Sequence, residues 1–290
     1  MTGGFFMPTL AILLLLTGAT LHTAWNLVIK QAQEKYIVTW WVVVIGGLAS
    51  LVALAFTGMP PRNLWGFAFF SVLVEAAYFL ALSYAYHDHD FSLVYPIARG
   101  AAPAFLAVWA FLFLAEAPTG GGLVGLCLII GGLVVIGASA LLKRGVGRVH
   151  FQGVVAALAL AFLISTYTAI DGAAVKQGPA MPYAFLIFAL VPLPLTPFVL
   201  RQYGWTRLKE TWEAQRLRLS AAGVLGVAAY LLALAAYSIA PLNYSGAIRE
   251  VSVVIGAFAG WRILGERLGP VRLAGAAIIF AGILVIARWG

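Results

Sequence analysis

Ala76-Ala77-Tyr78-Phe79-Leu80-Ala81-Leu82 recurs as Ala228-Ala229-Tyr230-Leu231-Leu232-Ala233-Leu234, with six of the seven residues identical at an offset of 152. After a two-residue gap the offset becomes 150 and holds to the end of each half. Arg99 then matches Arg249, Leu114 and Glu116 match Leu264 and Glu266, and Gly125, Ile129 and Gly132 match Gly275, Ile279 and Gly282. Lys30-Gln31 and Lys176-Gln177 pair more weakly, at 146. Two apolar segments share Leu and Ala by chance, but a near-constant offset that also carries Arg, Glu and Tyr marks a duplication. The chain is read as two related units, 1–146 and 147–290.

Composition says what those units are made of. Hydrophobic residues make up 63% of the 290 positions and charged residues 10%, and the mean hydropathy is +0.98. A water-soluble globular protein carries about 25% charged residues and is excluded. Ten apolar runs, at about 8–30, 36–58, 64–86, 91–114, 120–142, 150–174, 181–200, 217–239, 243–263 and 269–288, are each long enough to cross a bilayer as a helix. The expected fold is an all-α integral membrane protein of ten transmembrane helices. Five helices per half is an odd number, so the second half enters the membrane from the opposite side and the halves are inverted repeats. The stretch 201–216, with its alternating charges, reads as an interfacial loop or short amphipathic helix.

The net charge of +8 sits mostly between apolar runs, where basic residues signal topology against anionic lipid rather than nucleic-acid binding. With the N-terminus inside, three basic residues fall on inner segments against thirteen on outer ones, which favours both termini outside. The single cysteine, Cys127, excludes an internal disulfide and a Cys-based metal cluster and reads as a packing residue. His87-Asp88-His89-Asp90 has metal-ligand residue types but falls in a short loop, and no metal site or cofactor is expected. Trp40, Trp41, Trp65, Trp205, Trp212 and Trp289 read as interfacial anchors.

Charged and polar residues inside the spans carry the functional signal, because each costs about 2.5 to 3.5 kcal/mol at mid-bilayer unless it faces protein or water. His22, Glu75, Arg99, Asp171, Arg249 and Glu250 are of this kind. A rise of about 1.5 Å per residue puts His22, Tyr78 and Arg99 at one depth, with Asn26 and Glu75 close by. His22, Trp25 and Asn26 share a helix face. In Tyr95-Pro96-Ile97-Ala98-Arg99-Gly100-Ala101-Ala102-Pro103, two prolines and a glycine predict a broken helix around Arg99, and irregular backbone at membrane depth belongs beside a cavity. Arg99 then either grips a substrate carboxylate bidentately or pairs with Glu75 or Glu250. Arg249 is its repeat mate without flanking prolines. The candidate substrate-binding set is His22, Trp25, Asn26, Glu75, Tyr78, Tyr95, Arg99, Tyr230, Arg249 and Glu250. Asp171, near the end of its helix, is expected to pair with Lys176 at the interface.

His22-Thr23-Ala24-Trp25-Asn26 with Lys30, Tyr95-Pro96-Ile97-Ala98-Arg99, and Leu114-Ala115-Glu116 and Leu264-Gly265-Glu266 before a glycine-rich closing helix together resemble the EamA branch of the drug/metabolite transporter superfamily. The resemblance covers the whole chain. It implies efflux of small metabolites through a central cavity, with bacterial exporters of aromatic amino acids, the YddG type, as the nearest functional likeness. Members are usually drawn with both termini in the cytoplasm, opposite to the charge count. The expected protein is a multi-pass, monomeric carrier of a bacterial inner membrane whose partners are the lipid bilayer and a small molecule. It exports amino acids by alternating access. Efflux of cationic drugs is the rival within transport, and a membrane enzyme acting on a lipid-linked substrate is the rival outside it.

Overall fold

Apolar runs of this length find no water to bond their peptide groups in a bilayer, so each must close its hydrogen bonds within itself, and the chain is helical. The computed structural model describes residues 7–88, 91–142, 148–264 and 270–289. Among them lie α1 (Thr9–Gln31), α2 (Lys35–Thr57), α3 (Trp65–Asp88), α4 (Phe91–Leu114), α5 (Gly120–Leu142), α6 (Arg148–Val175), α7 (Ala180–Leu190), α8 (Pro192–Ile239), α9 (Leu242–Arg249), α10 (Val251–Leu264) and α11 (Pro270–Trp289), with a 3-10 turn at Arg62–Leu64. Six stretches among the described residues are long and apolar enough to cross a membrane.

Helix interruptions fall differently from the expectation. α4 runs unbroken through Pro96 and Pro103. Its counterpart in the second half, which lacks prolines, is the one divided: α9 stops at Arg249, Glu250 forms a turn, and α10 resumes at Val251. The amide of Val253 bonds the carbonyl of Glu250 at 3.0 Å and that of Glu250 bonds Ala247 at 3.1 Å, a tightened turn beside Thr23, whose hydroxyl is shared between the Ala19 carbonyl of its own helix at 2.9 Å and the Ser252 carbonyl at 3.1 Å.

Residues 201–216 are helical rather than loop, within α8. Gly204 nevertheless has φ 73° and ψ 156°, outside the helical region and suited to glycine. Contacts along α2 show the consequence. Before Gly204, a Cβ on Gly47 would meet the Phe188 carbonyl, Trp40 bonds Thr196, and the Tyr36 and Tyr203 rings lie 5.9 Å apart. After it, the Trp41 indole donates to the Leu208 carbonyl at 2.9 Å, and a Cβ on Gly46 would meet Val227. The two arms of α8 therefore run along α2 in opposite directions. Trp40 is buried in this junction, not an interfacial anchor, whereas Trp65, Trp205 and Trp289 are exposed as anchors are. Cys127 is likewise exposed rather than packed inside.

The duplication is visible in the packing of α5 on α11. A Cβ on Gly132 would lie 2.7 Å from the Gly275 carbonyl oxygen and 2.7 Å from Ile279, and one on Gly282 would lie 2.8 Å from both the Gly125 carbonyl oxygen and Ile129. These are the same contacts with the halves exchanged, each residue replaced by its mate at offset 150. Gly121 meets Trp289 and Gly125 meets Ile286, so advancing along one helix retreats along the other and the pair is antiparallel. Small residues let the backbones approach this closely. Other contacts exchange likewise: α4 packs on α6 as α10 packs on α1, and α3 on α6 as α8 on α1.

At the Thr9 end, Ala115 takes φ 54° and turns Glu116 across to the other half. One carboxylate oxygen pairs with Lys176; the other accepts the amides of Leu242 at 2.7 Å and Asn243 at 3.2 Å. A carboxylate on the first free N–H groups of α9 satisfies donors that hydrocarbon would leave orphaned. Partial burial pushes the Lys176 ammonium below the ordinary lysine range.

Gly132→Ala and Gly282→Ala should each lower stability by about 1 to 3 kcal/mol, because the new methyl meets backbone rather than a side chain that can turn. Gly131→Ala, at a position with nothing within 4 Å, is the control and should be neutral or stabilising in detergent thermal melts. Removing the carboxylate in Glu116→Ala should cost about 1.5 to 3 kcal/mol in the same assay.

Candidate functional site

Between the halves lies a cavity of about 70 Å³. Its polar lining comes from His22 and Trp25 on α1, Glu75 and Tyr78 on α3, Tyr230 on α8 and Arg249 at the end of α9. Phe79, Tyr167 and Phe188 add aromatic wall. Glycines at 18, 223 and 226 keep the remaining wall low.

Behind this lining is a network of buried charge. Arg99 Nη1 donates to both oxygens of Glu250, at 3.2 and 3.4 Å, and Nη2 contacts His22 Nε2. A guanidinium has only donors, so in this contact His22 Nε2 can serve only as an acceptor. Arg249 Nε lies 3.9 Å from the same Glu250 carboxylate, and Nη2 donates to Thr168 Oγ1 at 3.4 Å. Thr168 stands 146 residues after His22 as Arg249 stands 150 after Arg99, so each arginine touches its own half-exchanged partner. Glu250 breaks the symmetry: its mate at offset 150 is Gly100.

A second network joins the carboxyls of α3 and α6. The Tyr230 hydroxyl lies 2.8 Å from Glu75 Oε1 and also contacts Asp171 Oδ2, and the Tyr183 hydroxyl donates to Asp171 Oδ1 at 2.8 Å. Glu75 is 4% exposed and Asp171 0%. Asp171 is thus a core residue, correcting the expected interfacial pair with Lys176, whose partner is Glu116.

Among the described residues, Trp25 Nε1 and Arg249 Nε are buried and make no hydrogen bond, although Arg249 Nε stands in ion-pair range of Glu250. Buried N–H groups are rarely left so, and both belong to residues that line the cavity.

Of the ten candidate residues, His22, Trp25, Glu75, Tyr78, Tyr230 and Arg249 line the cavity. Arg99 and Glu250 are buried behind it, 4% and 1% exposed, as an ion pair. Asn26 donates to the His22 carbonyl of its own helix at 2.8 Å. Tyr95 lies outside the residues whose side chains are described, as does the His87–Asp90 tract. Sequence reasoning missed Tyr167, Thr168 and Tyr183 and misplaced Asp171. The offset of 146 carried the signal, since it makes Asp171 the mate of Trp25 and Thr168 the mate of His22.

Packed membrane helices around an aromatic-walled cavity, with acids and arginines held at depth beside it, are the construction of a small-molecule carrier. The EamA-like transporter family matches residues 9–138 and 151–288, and the chain belongs to that family, as a multi-pass membrane transporter of small molecules. No curated protein matches the chain. Twenty-seven chains of solved structures do. One crystal structure superimposes with a TM-score of 0.75 over 96% of this chain and 97% of its own, at 18% identity, a likeness of fold.

Glu250→Ala leaves two buried arginines without their shared counter-ion and should cost about 3 to 5 kcal/mol. The check is the detergent melting temperature, where Asn26→Ala, outside the network, should change little.

Proposed function

We propose that this transporter carries small zwitterionic metabolites, amino acids with apolar or aromatic side chains foremost, and exports them across a bacterial inner membrane by alternating access. The observation that carries the reading is that one cavity is lined by an acid, Glu75, an arginine, Arg249, and several aromatic side chains. A substrate carboxylate takes the Arg249 and Trp25 donors, its ammonium faces Glu75, and its side chain lies among Tyr78, Phe79, Tyr167 and Phe188. Arg99 serves by holding His22 and Glu250, which orient the lining from behind.

We count ten crossings: α7 with the first arm of α8 is one, the second arm another, and α9 with α10 a third. The antiparallel, half-exchanged packing of α5 and α11 supports an inverted repeat, and rocking of one half against the other would move the cavity between membrane faces.

The aromatic wall and Glu75 also suit an organic cation, which the Arg249 charge beside them opposes. Counterflow in proteoliposomes separates the two. L-Phenylalanine should exchange, and Arg249→Ala should weaken it about 10- to 100-fold, the loss of one charge-assisted contact. Unchanged phenylalanine exchange by correctly folded Arg249→Ala would sink the carboxylate assignment. Ethidium transport that survives Arg249→Ala and fails in Glu75→Gln would establish the cation reading instead.

A further inference from the structure

Glycine weakens the middle of a helix, and in a packed membrane protein it is kept where a neighbouring backbone presses on it. Two of the three glycines that line the cavity have that reason. A Cβ on Gly18 would lie 3.1 Å from the Ala229 carbonyl oxygen, and one on Gly223 would lie 2.9 Å from both the Val42 carbonyl oxygen and the Ile45 side chain. Gly226 has no such reason: a Cβ there would meet nothing within 4 Å. Gly58, Gly66, Gly120, Gly131 and Gly204 are equally open but stand exposed or half-buried at the surface, whereas Gly226 is buried. Its empty side therefore looks into the cavity that it lines.

The repeat gives the same answer. At the offset of 152 the mate of Gly226 is Val74, whose side chain packs against a buried cluster drawn from α3, α4 and α6. The fold thus accepts a branched side chain at this place in one half, and nothing in the packing asks for a glycine in the other. Gly226 lies one turn before Tyr230 on the same face of α8. The Tyr230 hydroxyl stands against Glu75 at 2.8 Å and its ring lies 5.2 Å from Phe188, so the open position is a helical turn away from the acid, in a cavity otherwise lined by Leu15, Val42, Val43 and Phe188. A cavity of about 70 Å³ has room for roughly five to seven waters, about the bulk of the seven carbons of a benzyl group. The four carbons of a leucine at 226 would take up roughly half of that room.

We propose that Gly226 sets the upper size of the substrate: the space left by its missing side chain receives the far end of the substrate's apolar group while the ammonium stands at Glu75. Large apolar and aromatic amino acids are carried because this position is bare, and each carbon added to it excludes the larger of them first. The size rule rests on the proposed amino-acid reading; the open space does not.

Proteoliposome counterflow of L-alanine and L-phenylalanine by Gly226→Ala, Gly226→Val and Gly226→Leu tests the rule. Phenylalanine exchange should fall stepwise along the series, reaching a loss of about 10- to 200-fold relative to alanine exchange in Gly226→Leu. The melting temperature of Gly226→Ala should hold or rise, because the methyl enters open space and alanine favours a helix. A folded Gly226→Leu that exchanges phenylalanine like the wild type, or that loses alanine and phenylalanine alike, overturns the size rule. The space itself is read by treating Cys127→Ser/Gly226→Cys with methyl methanethiosulfonate. The cysteine at 226 should react in the folded protein, and L-phenylalanine should slow the reaction. Failure to react overturns the open space, and a lack of protection by phenylalanine that does exchange overturns its placement there. If the wild type exchanges neither amino acid, the amino-acid reading fails and the size rule with it, while the thiol reaction still decides the space.

Discussion

A charge in hydrocarbon has no water to fall back on, and the centre of this protein is arranged around that fact. Arg99 and Arg249 converge on one carboxylate, Glu250, which is 1% exposed. The cost of taking an arginine out of water is offset only where a partner meets it in good geometry. That partner sits at the turn between α9 and α10, where the chain leaves helical regularity and can aim a side chain between the halves.

The halves differ in an ordered way. Their arginines correspond, and so do the tyrosines at 78 and 230 and the glycine seams of α5 and α11. Their buried acids do not: at the repeat offsets Glu75 faces Val227, Asp171 faces Trp25 and Glu250 faces Gly100. Packing preserves the duplication because a glycine that admits a neighbouring backbone cannot change alone. The buried acids are where the halves differ, and they make the centre asymmetric.

The break in helical continuity follows the same logic. Prolines in α4 announce a disruption that the backbone absorbs, whereas an ordinary Arg249-Glu250-Val251 sequence is where the helix divides. Missing hydrogen bonds are a local property and can be read from residues. The turn at Glu250 lacks any proline or glycine, and nothing in the stretch itself reveals it.

The amino-acid order alone determined the membrane helices, the duplication and the list of residues too polar to face lipid, because hydropathy and repeat spacing are properties of the linear chain. It also placed Glu116 and Glu266 as mates without saying what such a glutamate does, which for Glu116 is to cap α9 and hold Lys176. Which polar residues meet was settled only in three dimensions. Arg99 chose Glu250 over an open cavity, Asp171 chose two tyrosines over Lys176, and Gly204 turned one run of helix into two opposed arms. Each outcome depends on side chains brought together from distant segments, and a charge pairs with whatever packing puts within reach.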